Sequence, residues 1–418
     1  WTINEGTDYP RLAWENVPGT QIVGQPYTYG GGSGQPDDPY QLWSAEQFIS
    51  ITDHYEDFDN CFVLMADIDL NDIDPYRIRP IGTYLMPFTG IFDGKSHTIH
   101  NFHYEEKNED RIGLFGCLGN FQSDGSVSSG TVKNLHLANL TVIGNSYVGG
   151  LAGRCYGGTL ASCSISGSVA GGSEIGGLVG LGEHTDISFS DSSGTVSGST
   201  NVGGLVGRYQ NGQVSQSVTT CEVSGHSNVG GLVGKHSHYY VESRSHYLEQ
   251  EESLLSQCAS TGSVRGRNVL GGLVGDNAGI ITDCYAVGDV VGEEYTYSGG
   301  IIGSRTEYSH QVGGLVGANN GQIMFSYSGS YVEGHQEVGG LVGIQDKGES
   351  FNCFWDEQTS GQTSSNGGIG KTTVEMQMAS TFIDAGWDFV GKTENGTEDI
   401  WWILEGQDYP RLWWEGLE

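Results

Sequence analysis

Between about residues 112 and 356, apolar residues come in short runs, each cut off by glycine, serine, asparagine or aspartate. Runs of that kind bounded by turn formers read as strands. They are also periodic. The hexapeptide V-G-G-L-V-G, or a close variant, recurs eight times, with its first glycine at Gly149, Gly176, Gly203, Gly230, Gly271, Gly299, Gly313 and Gly339. The intervals are 27, 27, 27, 41, 28, 14 and 26 residues. The interval of 41 reads as one repeat with a 14-residue insertion, and the interval of 14 as half a repeat. A weaker copy, I-G-L-F-G, starts at Ile112. Two apolar columns hold the same register: Leu160, Ile187, Val214, Leu255, Ile281 and Ile323, then Val169, Val196, Val223, Val264, Val290 and Val332.

Three β-prone runs per repeat leave no room for a helix, and glycine at this density would penalise one heavily. The expected fold is therefore all-β: a parallel β-solenoid, or β-helix, of ~27-residue coils in which each repeat pairs with the ones above and below. Leu and Val of the hexapeptide point inward, and its glycines serve tight corners and close backbone approach. A column of small residues, Cys163, Ser190, Ser217, Cys258, Cys284, Ser326 and Cys353, suits a narrow corner better than a catalytic or metal-binding ladder.

Terminal coils are open sheet edges and need caps. "SAEQFISITDHYEDF" reads as an amphipathic helix with Ser44 as N-cap and Gln47 three residues on. Thr372 with Glu375 makes a second capping box before "VEMQMASTFIDAGW". The expected organisation is an aromatic terminal segment (1–16), a linker (17–38), an N-terminal cap with the first strands (39–111), the solenoid (112–356) and a C-terminal cap with a helix (357–418).

Composition narrows the function. The formal charge of −33 argues against nucleic acid or an anionic membrane surface as partner. No apolar run approaches the ~18 residues of a membrane helix, so no membrane insertion is expected. The chain opens at Trp1 on acidic, turn-rich sequence without a signal peptide, as a trimmed or excised product does. Eight cysteines without C-x-x-C favour an oxidising, extracellular setting over a zinc ribbon. Cys117 and Cys155 follow neighbouring glycine motifs nearly in register, which makes them a candidate disulfide. Asp67, Asp69, Asp72 and Asp74 alternate like a loose calcium loop, but the glycine and final glutamate of an EF-hand are missing. No cofactor is expected beyond a candidate structural calcium there.

Here a resemblance enters. The eight hexapeptides, "MADIDL", "IFDGKSHTIHNF" and "GWDF…DYPRLWWE" resemble the GLUG-repeat family of bacterial surface and secreted proteins, which includes immunoglobulin A-cleaving peptidases. The likeness spans about residues 38 to 415. It implies secretion, a β-solenoid and a stalk or adhesive role. The family's peptidases carry a separate zinc domain, and no H-E-x-x-H occurs here, which argues against a metalloprotease.

Other chemistry is sparse. Asp72 with Asp74, or Glu293 with Glu294, reads more readily as turn acids than as a hydrolase pair. The insertion from Lys235 to Ser253 gathers His236, His238, Tyr239, Tyr240, His246 and Tyr247, a candidate recognition surface for sugar or protein. Sequons at Asn139 and Asn395 are candidate glycosylation sites. Finally, "WTINEGTDYPRLAWE" at Trp1 matches "WWILEGQDYPRLWWE" at Trp401 without gaps. Trp1, Tyr9, Leu12 and Trp14 then supply an apolar strip able to dock on a neighbouring molecule, head-to-tail or in tandem. The expectation is a non-catalytic extracellular structural or adhesive module, the unit of a filament or stalk. The alternative is a carbohydrate-binding or polysaccharide-degrading solenoid with glycans as partners.

Overall fold

The computed structural model describes residues 29–121, 127–237, 253–299, 303–393 and 395–416. Within them the backbone winds as a parallel β-solenoid with three faces. The first face starts at Tyr40–Leu42 and passes through Cys61–Leu64, Ile91–His100, Thr131–Ile143 and Thr159–Ala170 to Glu349–Phe351. The second face has seven strands, from Ser146–Gly149 to Gln336–Gly339, each ending on the first glycine of a hexapeptide. The third has eight, from Phe115–Leu118 to Val342–Gln345.

Stacking is in register, so each sequence column becomes a physical column. Leu160, Ile187, Val214, Leu255, Ile281 and Ile323 pair rung by rung. The valines from Val169 to Val332 do the same. Leu151, Leu178, Leu205, Leu232, Leu273, Leu315 and Leu341 are fully buried. Each such side chain contributes ~1.5–3 kcal/mol by leaving water.

The hexapeptide glycines answer to close approach; none of those among the described residues has a positive φ. A Cβ on Gly204 would lie 2.1 Å from the Gly231 carbonyl oxygen, and one on Gly177 equally close to that of Gly204. The left-handed corners fall instead to other residues. Tyr147, Glu174, Asn201, Asn228, Val269, Gln311 and Glu337 form one left-handed column, and Ser162, Phe189, Gln216, Gln257, Asp283, Phe325 and Asn352 another. Asn228 donates to Asn201 (2.8 Å) and Asn201 to Glu174 (3.0 Å), so an amide ladder supports the first of them. After the second column come the small residues. Ser190 and Ser217 each donate to the carbonyl two residues back and accept the backbone N–H of the coil before. That ladder explains why serine and cysteine interchange there.

The first strands expected within residues 39–111 stack as rungs: Phe62 pairs with Phe92 and Phe92 with Val132, which extends the first apolar column upstream of the repeats. Inside that segment the helix is short, Ala45–Ser50, with Ser44 as its N-cap and two 3-10 turns after it. The glycine motif at Gly299 does not form a coil. Its flanks, Tyr295–Gly299 and Gly303–Glu307, pair antiparallel as a hairpin, so Gly271 stacks directly on Gly313. At the C-terminal end of the stack a short helix, Glu357–Ser360, follows the strand Phe354–Asp356, and helix Thr373–Met376 packs on the last two strands. Strand Ile369–Lys371 pairs with Phe354–Asp356 there, and Trp355 fills the space beside Gly340.

Gly204→Ala should therefore cost about 3 kcal/mol, because backbone carbonyls cannot step aside as a side chain would. A urea titration of the variant against the parent measures it, and an unchanged midpoint would contradict the contact geometry.

Candidate functional site

One residue beyond the small column, the chain faces outward. Along the stack this outward column reads Thr98, His136, Ser164, Asp191, Val218, Ala259, Tyr285, Tyr327 and Phe354. It turns from polar to apolar at Val218. An outward aromatic ladder, absent from the sequence reading, thus occupies the later coils; Tyr285 and Tyr327 stack at 5.1 Å, 4° from parallel.

Residues 372–416 pack on that flank. Thr372 and Glu375 form the anticipated capping box on Thr373–Met376, and a second helix spans Ala379–Ile383. Trp401–Trp402 pairs antiparallel with Arg411–Leu412. Met376, Phe382, Trp387, Phe389, Trp401 and Leu412 join Tyr285, Tyr327 and Phe354 in a second core. Polar atoms fix the register. Tyr285 donates to Glu415 (2.6 Å) and Tyr327 to the Pro410 carbonyl (2.7 Å). The Tyr409 hydroxyl donates to Asp356 (2.7 Å), Trp414 Nε1 to the Gln257 carbonyl (3.1 Å) and Trp401 Nε1 to Asp283 (3.2 Å). Burial raises the Asp283 carboxyl from its ordinary pKa, and burial also holds the Tyr327 hydroxyl protonated.

On the third face, alternation turns Arg154, Arg208 and Lys235 outward, because Cys155, Tyr209 and His236 beside them are buried. Arg111 lies over Tyr84 (4.8 Å) and Tyr147 (5.2 Å), and Arg154 over Tyr84 (5.5 Å) and Tyr156 (5.4 Å). Arg154 also pairs with Glu183 at 2.7 Å and Lys235 with Asp276 at 2.8 Å.

The sequence candidates separate. His236 is fully buried, 2.7 Å from Asn277 and 2.8 Å from Ser253, and Asn277 donates on to Asn319. It is a core residue of a polar ladder, not a recognition residue. His238, Tyr239, Tyr240, His246 and Tyr247 lie outside the described residues, as do Trp1, Tyr9, Leu12 and Trp14. Cys117 and Cys155 are free, buried thiols, one residue out of step: Cys117 sits opposite Arg154 and Cys155 opposite Leu118. Burial pushes them up to about 11 and about 12. Asp67 accepts from Thr98 and lies 3.1 Å from His97, Asp69 binds Asn71 and Asn101, and Asp74 caps Tyr76. The alternating aspartates thus serve separate turns, and no metal cluster forms among the described residues. Asn139 and Asn395 are exposed; the Asn139 amide binds Asn101 and that of Asn395 the Ile383 carbonyl.

No family model matches the chain. A protein of Evansella cellulosilytica described as "Putative Gly-rich membrane protein" is 42% identical over 106 residues, 24% of this chain and 11% of that protein. Halomucin of Haloquadratum walsbyi is 32% identical over 177 residues, 40% of this chain and 2% of that protein. The chain therefore spans a small part of each relative. The crystal structure of a putative immunoglobulin A1 protease from Bacteroides ovatus aligns with a TM-score of 0.53 at 19% identity, over 92% of this chain and 95% of that one. That likeness establishes the fold. It also removes the expectation that the chain is no enzyme, since a protein of this architecture carries a protease's name. Among the described residues, no helix is long and apolar enough to cross a membrane.

Two outcomes follow from the flank. Tyr327→Ala should cost about 3–5 kcal/mol and loosen residues 379–412 in hydrogen exchange, whereas Tyr327→Phe should cost about 1 kcal/mol. Equal protection in all three proteins would contradict the docking. Because folding raises the Asp283 pKa, its stabilising form is the protonated one, complete below the unfolded value of ~3.9 and lost as pH rises through the folded value. Asp283→Asn should thus melt higher than the parent at pH 7, and the gap should close below about pH 4. A lower melting temperature at pH 7 would refute that sign.

Proposed function

We propose that this chain is a rigid solenoid module displayed outside the cell or at its surface, built to stand in series with others as a stalk or adhesive array. The observation that carries this reading is the way the two copies of the closing motif match. Apart from Trp413, which donates to Gln257 and stands where the first copy has Ala13, the residues of 401–415 that touch the flank recur in 1–15: Trp401, Tyr409, Pro410, Leu412, Trp414 and Glu415 as Trp1, Tyr9, Pro10, Leu12, Trp14 and Glu15. Gly406, at φ 71°, recurs as Gly6, and Glu405, which accepts from the Ala379 N–H, as Glu5. The four differing positions are Trp402, Leu404, Gln407 and Trp413, and the last three of these are exposed. A second segment carrying the docking side chains, 400 residues earlier, suits a repeating architecture in which each solenoid is closed by its own copy.

An open filament fits less well. The flank that receives the motif already holds the chain's own copy, and residues 30 and 31 exchange hydrogen bonds with Gln41 at the first rung. The surface setting is supported by the names of the two sequence relatives and by the GLUG resemblance, which remains a resemblance.

Light scattering on the full chain and on a form lacking residues 1–16 tests the arrangement. The series reading expects both to be monomers at high micromolar concentration. Concentration-dependent growth of the full chain alone would favour the filament and overturn it.

A further inference from the structure

Cations are scarce here, 18 lysines and arginines against 51 acids, yet three arginines share one strip with a group of rings. Arg111 occupies the left-handed corner column, Arg154 the third face one coil later, and Arg208 the same outward column two coils beyond Arg154. At ~4.8 Å per rung the strip is ~14 Å long. Its N-terminal half is aromatic: Tyr84 and Phe121 are about half exposed, and Phe121 lies 6.0 Å from Tyr156.

The partners of these arginines differ. Arg154 is held by Glu183 through two N–H groups, at 2.8 and 2.7 Å. Arg111 and Arg208 have no carboxylate partner among the described residues, and the Nε of each is buried without a hydrogen-bond acceptor. A buried donor without an acceptor costs ~1–3 kcal/mol unless something supplies one. With 51 acids on the chain, two unneutralised guanidiniums on one strip are a feature in need of an occupant. Tyrosine faces hold Arg111 in place, so its fork is presented with little remaining rotamer freedom.

We propose that this strip binds an extended carboxylated polysaccharide. Carboxylates would meet the guanidinium forks of Arg111 and Arg208, and sugar rings would lie on Tyr84 and Phe121. A linear run of sites at rung spacing matches a linear polymer, and the planar fork of arginine matches a carboxylate better than a neutral hydroxyl. The net charge of −33 repels such a ligand at long range, as it does nucleic acid, so recognition is local and is favoured by salt that screens charges beyond ~8 Å. This site is independent of the flank motif and of the series arrangement.

Titration calorimetry with an oligogalacturonate of ten sugars tests it on the full chain. Binding is expected, with a loss of about tenfold for Arg208→Gln, a similar loss for Tyr84→Ala, and a larger one for Arg111→Gln with Arg208→Gln. The methyl-esterified oligomer, which has the same rings without the charge, should not bind. Circular dichroism melts guard the result: Arg208→Gln replaces a half-buried side chain whose Nε has no acceptor and should leave the melting temperature within a few degrees. No binding of the acid form, equal binding of the ester, unaltered affinity in Arg208→Gln, or tighter binding of a sulfated neutral glucan would each overturn the assignment.

Discussion

Everything in this molecule depends on one close approach, that of the hexapeptide backbone of one coil to the backbone of the next. In the stacked hexapeptides from Gly150 to Gly314 the second glycine leaves no room for a Cβ, because the carbonyl of the following coil lies there, and at Gly340 the Trp355 ring does. Hydrogen bonds between coils form there without a side chain intervening, and the neighbouring leucine and valine are pressed into a narrow, dry interior. Since successive repeat coils share the contact, stability is distributed along the axis and each coil relies on its neighbours. Two coils carry extra sequence, one before Ser253 and one at the Tyr295–Glu307 hairpin, yet Gly230, Gly271 and Gly313 remain stacked.

Such regularity is what a sequence displays well. The valine and leucine columns were legible because their 27-residue spacing coincides with the register of the strands. The upstream rungs were not, because Phe62, Phe92 and Val132 lie at unequal intervals and carry no glycine motif. Copying of the motif also misled: Gly299 stands in a hexapeptide that makes a hairpin, since glycine-rich segments serve turns as readily as coils. For Cys117 and Cys155 the error was one residue, enough to place arginine opposite cysteine. His236 looked like part of an exposed insertion, but strand Val233–Ser237 continues into it and turns the imidazole inward.

The docking flank was hidden for a different reason. Its column, Val218 to Phe354, sits one position beyond the serine and cysteine ladder and is polar in the earlier coils, so no single repeat reveals it. Only the change along the axis does. The same reasoning exposes the arginine strip, where the surface pattern departs from an otherwise acidic chain. Fold and surface thus carry separate information: buried columns state the architecture, and breaks in the outward columns mark the docking flank and the proposed arginine strip.

The most direct test of the account is a distance. Thr159 and Glu349 are 190 residues apart in the chain, and both are exposed on the first face. In-register pairing joins them through Asp186, Gln213, Leu254, Ile280 and Gln322. Six steps at ~4.8 Å put their backbones ~29 Å apart. Pulsed electron resonance between labels at these two positions, attached by chemistry that spares the eight thiols, should give one narrow distribution near that value once the tethers are included. A broad distribution, or one centred beyond ~45 Å, would contradict a continuous in-register solenoid.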